Sequence, residues 1–128
     1  MTNYVLVHGS FQGGWIWHRV AERLRAAGNV VFAPTLQGCA ERKDQIGPGI
    51  TVTTQATEVA GLLFYEDLRD VVLVATSTGG LIASKAASLA RDRIARLVFV
   101  DALAPQPRES VADIVIRAPD AAPYEMTQ

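Results

Sequence analysis

The sequence predicts an α/β protein with a mostly parallel sheet and helices on both of its faces. Three observations predict it. Four short runs, Tyr4–Val7, Val30–Ala33, Val71–Ala75 and Leu97–Val100, are continuously apolar and rich in β-branched or aromatic residues, as strands buried on both faces are. Longer segments with helical apolar spacing separate them. The two kinds alternate as β-α-β-α-β-α-β, which requires parallel strands joined by crossover helices.

Each element has its own justification. Tyr4–Val7 stops at His8-Gly9, a strand running into a turn. Trp15 to Ala27 carries apolar residues at 16, 20, 24 and 27, and Gly28 is a C-terminal stop, so this segment reads as the first helix. Pro34 ends the second strand. Residues 34–50, with Gly38, Gly47, Pro48 and Gly49 among charged neighbours, read as a long surface loop. Gln55–Tyr65 reads as a helix with Thr54 as its N-cap. Gly79–Arg91 reads as another, with Leu81, Ile82, Ala86 and Leu89 on one face. Asp101 ends the fourth strand. Beyond Pro105 the pattern weakens between Pro107, Pro119 and Pro123, and only Val111–Ile116 offers a short helix. Right-handed crossovers then restrict the topologies severely, and the expected spatial order is 2-1-3-4, with the switch point between the first and third strands. Ligands in such sheets bind beyond the carboxyl ends of the strands at that point. Those ends are His8-Gly9-Ser10 and Thr76-Ser77-Thr78.

Composition bounds the function class. The 128 residues suit one domain, 49% are hydrophobic and 20% charged, and the net charge is −1, which gives no basis for a nucleic-acid partner. The apolar runs are too short to span a bilayer, no signal-peptide pattern precedes the first strand, and one cysteine, Cys39, allows no internal disulfide. A cytoplasmic protein without membrane contact is the expectation. No metal-ligand spacing and no cofactor motif is present, and Cys39 reads as a free structural thiol.

The segment VVLVATSTGG (71–80) runs from strand through tight turn into helix, which is the context of the nucleophile-elbow pattern G-x-S-x-G. Ala75 stands at the first glycine position and Gly79 at the second. Small residues are needed because the serine sits in a strained turn that neighbouring backbones pass closely. Ser77 is therefore the candidate nucleophile. The pentapeptide alone is equally compatible with Ser77 and Thr78 as helix N-cap residues, or with an anion held on the turn's N–H groups. The first loop shifts the balance. An oxyanion hole needs two backbone N–H groups aimed at one point, one from the residue after the nucleophile and one from the loop after the neighbouring strand. Here those are Thr78 and Ser10. Gly9, Gly13 and Gly14 would let that loop approach a substrate, and Phe11 beside it is the candidate pocket residue.

On these residues the chain resembles α/β-hydrolases of the plant methylesterase and hydroxynitrile lyase type, with their bacterial relatives. YVLVHGSFQGGWIWHRV (4–20) looks like their opening, where H-G-x-x-x-G-x-W forms the oxyanion side. VFAPTLQG (31–38) looks like their second parallel strand and loop, and LVFVDALAP (97–105) like the strand leading into their cap region. The resemblance implies that residues 1–105 form the N-terminal half of the hydrolase core and 106–128 the start of the cap. It implies attack by Ser77 on an ester carbonyl, with a histidine taking its proton. In the hydroxynitrile lyases of this type the residue after the histidine of His-Gly is threonine; here Gly9 is retained, as in the esterases, which favours hydrolysis.

The resemblance also implies partners that these residues do not supply. The family order is serine, then acid, then histidine, yet His8 and His18 both precede Ser77. His8 belongs to the His-Gly turn, where the family uses it structurally, and His18 reads as a packed or partly exposed helix residue. Asp101 is an acid in some relatives, but capping the turn is its default reading. Trp15, Trp17 and Phe64 read as packing residues, and Glu41 to Asp44 as a solvated run. The expectation is a cofactor-free serine hydrolase of a small ester or lactone, its acid and base carried by a segment after residue 128. The alternatives are a lyase on the same fold and a non-catalytic binding module.

Overall fold

The computed structural model describes residues 1–103. The expected helix Val111–Ile116 and the proposed cap segment 106–128 lie outside the described residues. The described part is a parallel sheet of β1 (Asn3–Val7), β2 (Val30–Phe32), β3 (Val71–Ser77) and β4 (Ile94–Ala102) in the order β2-β1-β3-β4. The expected order is thus the observed one.

Side chains alternate across each strand, and the alternation divides the core. Val5 and Val7 of β1, with Val71, Leu73 and Ala75 of β3, face one side. There they meet Ala56, Val59 and Leu63 of α2 (Val52–Tyr65) and Ile82, Ala83 and Ala86 of α3 (Gly79–Leu89). Leu6 and Val31 face the other side, against Trp17 and Ala21, the latter on α1 (His18–Ala26). Burial on both faces is why these strands read as unbroken apolar runs.

Three local expectations need correction. The first helix opens as a 3-10 turn over Gly14–Trp17 before α1 begins. A tighter winding rotates the later residues, so Trp17 and Ala21 are buried with Ile16 and Leu24 packed beside them, while Val20 is 44% exposed and Ala27 faces solvent. The second helix starts earlier than expected, and its N-cap is Thr51, not Thr54. The Thr51 hydroxyl accepts from the Thr54 N–H at 3.2 Å, while the Thr54 hydroxyl accepts from the Thr51 N–H at 2.8 Å. That is a capping box with threonine in the place glutamate usually takes. Finally, the stretch read as surface loop begins buried, at Thr35 and Leu36, and contains a 3-10 segment at Ala40–Gln45. The Arg42 guanidinium organises it, meeting both Glu58 carboxylate oxygens at 2.7 and 3.0 Å and the Thr35 carbonyl at 2.8 Å. The Glu58 partnership holds the Arg42 pKa above its usual value.

At the end of α1 the chain behaves as expected. Gly28 adopts φ 90°, its N–H donates to the Arg25 carbonyl and the Asn29 N–H to that of Leu24. Only glycine takes that backbone conformation without strain.

Candidate active site

The carboxyl ends of β1 and β3 lie side by side, because Val7 is in register with Ala75. The loop after β1 therefore meets the turn after β3, as the topology requires. Ser77 is the last residue of β3 and has φ 53°. For an L-residue this left-handed conformation is strained. Ser77 is half-buried. Its carbonyl accepts from the Leu103 N–H at 3.0 Å, which ties the turn to the end of β4.

The small residues around Ser77 each meet backbone. Ala75 is wholly buried between the strands and α3. A Cβ on Gly79 would fall on the His8 carbonyl oxygen, and one on Gly80 on that of Leu103. The first turn of α3 thus slots between the ends of β1 and β4, and only glycine fits at either position. β4 makes room by a bulge. Thr76 pairs with Val100 but Ser77 pairs with Ala102, so Asp101 is the extra residue, with φ 50°. Asp101 does not end the strand or cap a turn, as expected from sequence. It sits exposed within the strand, where aspartate tolerates the left-handed conformation.

Neither Ser77 nor Thr78 serves as a side-chain cap. Thr78 is the N-cap residue of α3, but its side chain makes no capping hydrogen bond and its backbone is already helical. Its hydroxyl oxygen instead accepts from the Ser10 N–H at 2.7 Å and lies 2.8 Å from the Ser10 hydroxyl. The two residues expected to frame an oxyanion hole are thereby brought together, with the Ser10 amide engaged by the Thr78 side chain.

The rest of the loop is held from below. Gly9 is buried directly beneath Ser77: a Cβ there would lie 2.8 Å from Ser77 Cβ and 3.1 Å from its hydroxyl oxygen. The Gly9 N–H donates to Gln12 Oε1 at 2.7 Å, and the Gln12 N–H returns to the Gly9 carbonyl at 3.3 Å. That side-chain clamp was not read from sequence; a glutamine near a glycine has no distinctive signal. Phe11, with φ 60°, is 77% exposed at the tip of the loop.

His8 is buried, and both ring nitrogens are engaged. Nδ1–H donates to the Gly9 carbonyl at 2.8 Å and Nε2 accepts from the Leu36 N–H at 2.9 Å. This fixes a neutral tautomer, and burial pulls its pKa below 6.5 against weaker upward pushes from the Gly9 carbonyl and Glu41. His8 thus pins the loop after β1 to the loop after β2, and it has no free nitrogen to accept a proton from Ser77. His18 is exposed at the first position of α1. Burial raises the Cys39 thiol pKa, the opposite of what a nucleophilic thiolate needs.

A family model described as the alpha/beta hydrolase family matches residues 4–127. The chain belongs to the alpha/beta hydrolase family. It is 36% identical, over 127 residues, to a carbendazim hydrolyzing esterase of Nocardioides sp. (strain SG-4G), covering 99% of this chain and 51% of that one. It is 35% identical to methylesterase 7 of Arabidopsis thaliana over 104 residues, 80% of this chain and 40% of the relative. Its fold matches an extracellular alpha/beta-hydrolase from a Paenibacillus species, described as sharing structural and functional homology with tobacco salicylic acid binding protein 2. That match has a TM-score of 0.81 at 33% identity and covers 88% of this chain and 46% of the other. The chain spans about half the length of the curated relatives it matches. No helix among the described residues is long and apolar enough to cross a membrane.

Proposed function

We propose that this hydrolase chain carries the nucleophile and oxyanion hole of a serine carboxylesterase acting on a small ester or lactone. One observation supports the assignment above the others. Ser77 is held in a left-handed turn at the strand–helix junction while its neighbour Thr78 declines the capping role. Strain kept at such a residue calls for a function to explain it. The names of the relatives, esterase and methylesterase, agree with this reading.

In the proposed reaction the Ser77 hydroxyl oxygen attacks the ester carbonyl carbon and passes its proton to a histidine base. The oxyanion that forms is received by the N–H groups of Thr78 and Ser10. The alcohol departs with that proton, and water then cleaves the acyl-enzyme. Both ring nitrogens of His8 are engaged, so the base and its acid are assigned to a segment after residue 128. Phe11, exposed beside the oxyanion loop, is positioned to flank the acyl group.

Gly9 favours ester hydrolysis over the lyase alternative, because a threonine there has no room beside Ser77. Labelling of the intact polypeptide with a fluorophosphonate tests the proposal. Labelling that disappears in Ser77→Ala supports it. Absence of labelling in the unmodified polypeptide would favour the non-catalytic binding module.

A further inference from the structure

The Ser10 amide points at the Thr78 hydroxyl. Thr78 Oγ1 lies 2.7 Å from the Ser10 nitrogen as an acceptor and 2.8 Å from the Ser10 hydroxyl. Resting on the carboxylesterase reading above, we propose that the Thr78 hydroxyl is a resident occupant of the oxyanion site, displaced when negative charge develops on the substrate. Thr78 is then a residue that governs when the hole opens, beyond the backbone N–H it lends to the hole.

The argument is one of competing acceptors. A hydroxyl oxygen and a neutral ester carbonyl are acceptors of similar strength, so exchanging one for the other gains little. The exchange also breaks the link between the two hydroxyls. An oxyanion is different, since hydrogen bonds to an ionised acceptor are roughly twice as strong as neutral ones. The Ser10 N–H is therefore withheld from the ground-state carbonyl and released only to the developing oxyanion, and breaking the resident bond adds to the barrier measured from free enzyme and substrate. The same hydroxyl is not needed to cap α3, since it makes no capping bond. Nor is it needed to shield a buried amide, because Ser10 is exposed and its free N–H would be solvated.

Thr78→Val keeps the side-chain shape and removes the acceptor; Thr78→Ser restores a hydroxyl. Two measurements on the intact polypeptide separate the outcomes. The first is hydrogen exchange at the Ser10 amide, which should be several-fold faster in Thr78→Val than in wild type and Thr78→Ser. The second is the second-order rate of Ser77 phosphonylation by a fluorophosphonate, which should rise several-fold in Thr78→Val and return toward the wild-type rate in Thr78→Ser. Unchanged exchange at Ser10 overturns the inference while leaving the hydrolase reading intact. So does equal or slower phosphonylation of Thr78→Val, the result expected if the hydroxyl were a third donor to the oxyanion. No phosphonylation of Ser77 in any form overturns the carboxylesterase reading itself, and the displacement role with it.

Discussion

Gly79 lies against the backbone of His8: a Cβ built on Gly79 would fall on the His8 carbonyl oxygen and 2.9 Å from that of Val7. This contact lets the start of α3 reach the end of β1, and so brings Thr78 within hydrogen-bond distance of Ser10. The glycine in the second motif position is thus a packing requirement between two elements far apart in sequence, as well as a loop residue.

The first prediction follows from that contact. Gly79→Ala forces a methyl group into occupied backbone and should destabilise the fold by about 1–3 kcal/mol or more, the range for overpacking where nothing flexible can yield. Urea unfolding reads this as a lower midpoint with an unchanged slope. A wild-type midpoint would mean that α3 does not sit this closely on β1.

Ser77 carries the second prediction. Its φ of 53° costs an L-residue about 1–2 kcal/mol. Glycine avoids that cost but loses about 0.5–1 kcal/mol through backbone freedom in the unfolded chain. Ser77→Gly should therefore raise stability by about 0.5–1 kcal/mol, whereas Ser77→Ala, which keeps the strain, should stay within about 0.5 kcal/mol of wild type. Both should abolish fluorophosphonate labelling. Thermal unfolding of the two variants decides it, and equal melting temperatures would remove strain from the account of the turn.

Much of this was legible in the sequence, for a physical reason. Strands covered on both faces must be apolar throughout, so the runs of β1 and β3 gave away the sheet; the run of β4 was legible by its composition although Phe99 and Val100 are exposed, and right-handed crossovers then restricted the orders open to the sheet. The tight strand-to-helix turn at Ser77 was legible because close backbone approach demands small residues at fixed offsets from it. What escaped was decided by distant partners. Leu36 is buried in the core with residues of β1 and α2, and the imidazole of His8 holds its amide from 28 positions away. The adjacency of Ser10 and Thr78 followed from the strand order, but the bond from the Ser10 amide to the Thr78 hydroxyl, 68 positions away, did not. The bulge at Asp101 answers to Ser77 on the neighbouring strand, and nothing in the run LVFVDA announces it. Of the apolar set read at 16, 20, 24 and 27, Ile16 and Leu24 pack against the core while Val20 and Ala27 face solvent, because a 3-10 turn precedes α1 and shifts the phase along it.

Gly9 carries the third prediction, which bears on the choice of chemistry. A side chain at this position meets Ser77 Cβ at 2.8 Å and Gln12 Oε1 at 3.0 Å. Gly9→Thr should displace the Ser77 side chain and break the clamp between the Gly9 N–H and Gln12. Misplacing a reacting group by an ångström costs on the order of 10²-fold in rate. Fluorophosphonate labelling of Gly9→Thr should slow by about that factor, with Gly9→Ala in between. Labelling at the wild-type rate would show that the site tolerates the residue found in the lyases, and would return the lyase alternative to equal standing.

The last prediction concerns His8 and acid. In the folded chain its imidazole is neutral, with Nδ1–H on the Gly9 carbonyl and Nε2 accepting from the Leu36 N–H. Protonation would put a second N–H where Leu36 presents its own, so burial and this geometry both oppose the charged form. The folded pKa accordingly lies below 6.5, the value for an unconstrained histidine. The sign follows directly. Below the unfolded pKa the unfolded chain binds a proton that the folded chain resists, so acid favours unfolding. The His8 contribution is complete above 6.5 and is lost as the pH falls through the folded pKa. His8→Ala should lose about 1–3 kcal/mol at neutral pH, because the Leu36 N–H is left without its partner while the Gly9 carbonyl keeps the Gln12 N–H. It should also flatten the dependence of stability on pH between about 5 and 7, where histidine titrates. Urea unfolding of wild type and His8→Ala across that interval gives the test. Parallel curves would show that His8 titrates alike in the folded and unfolded chains, and that the neutral tautomer is not what holds the loop.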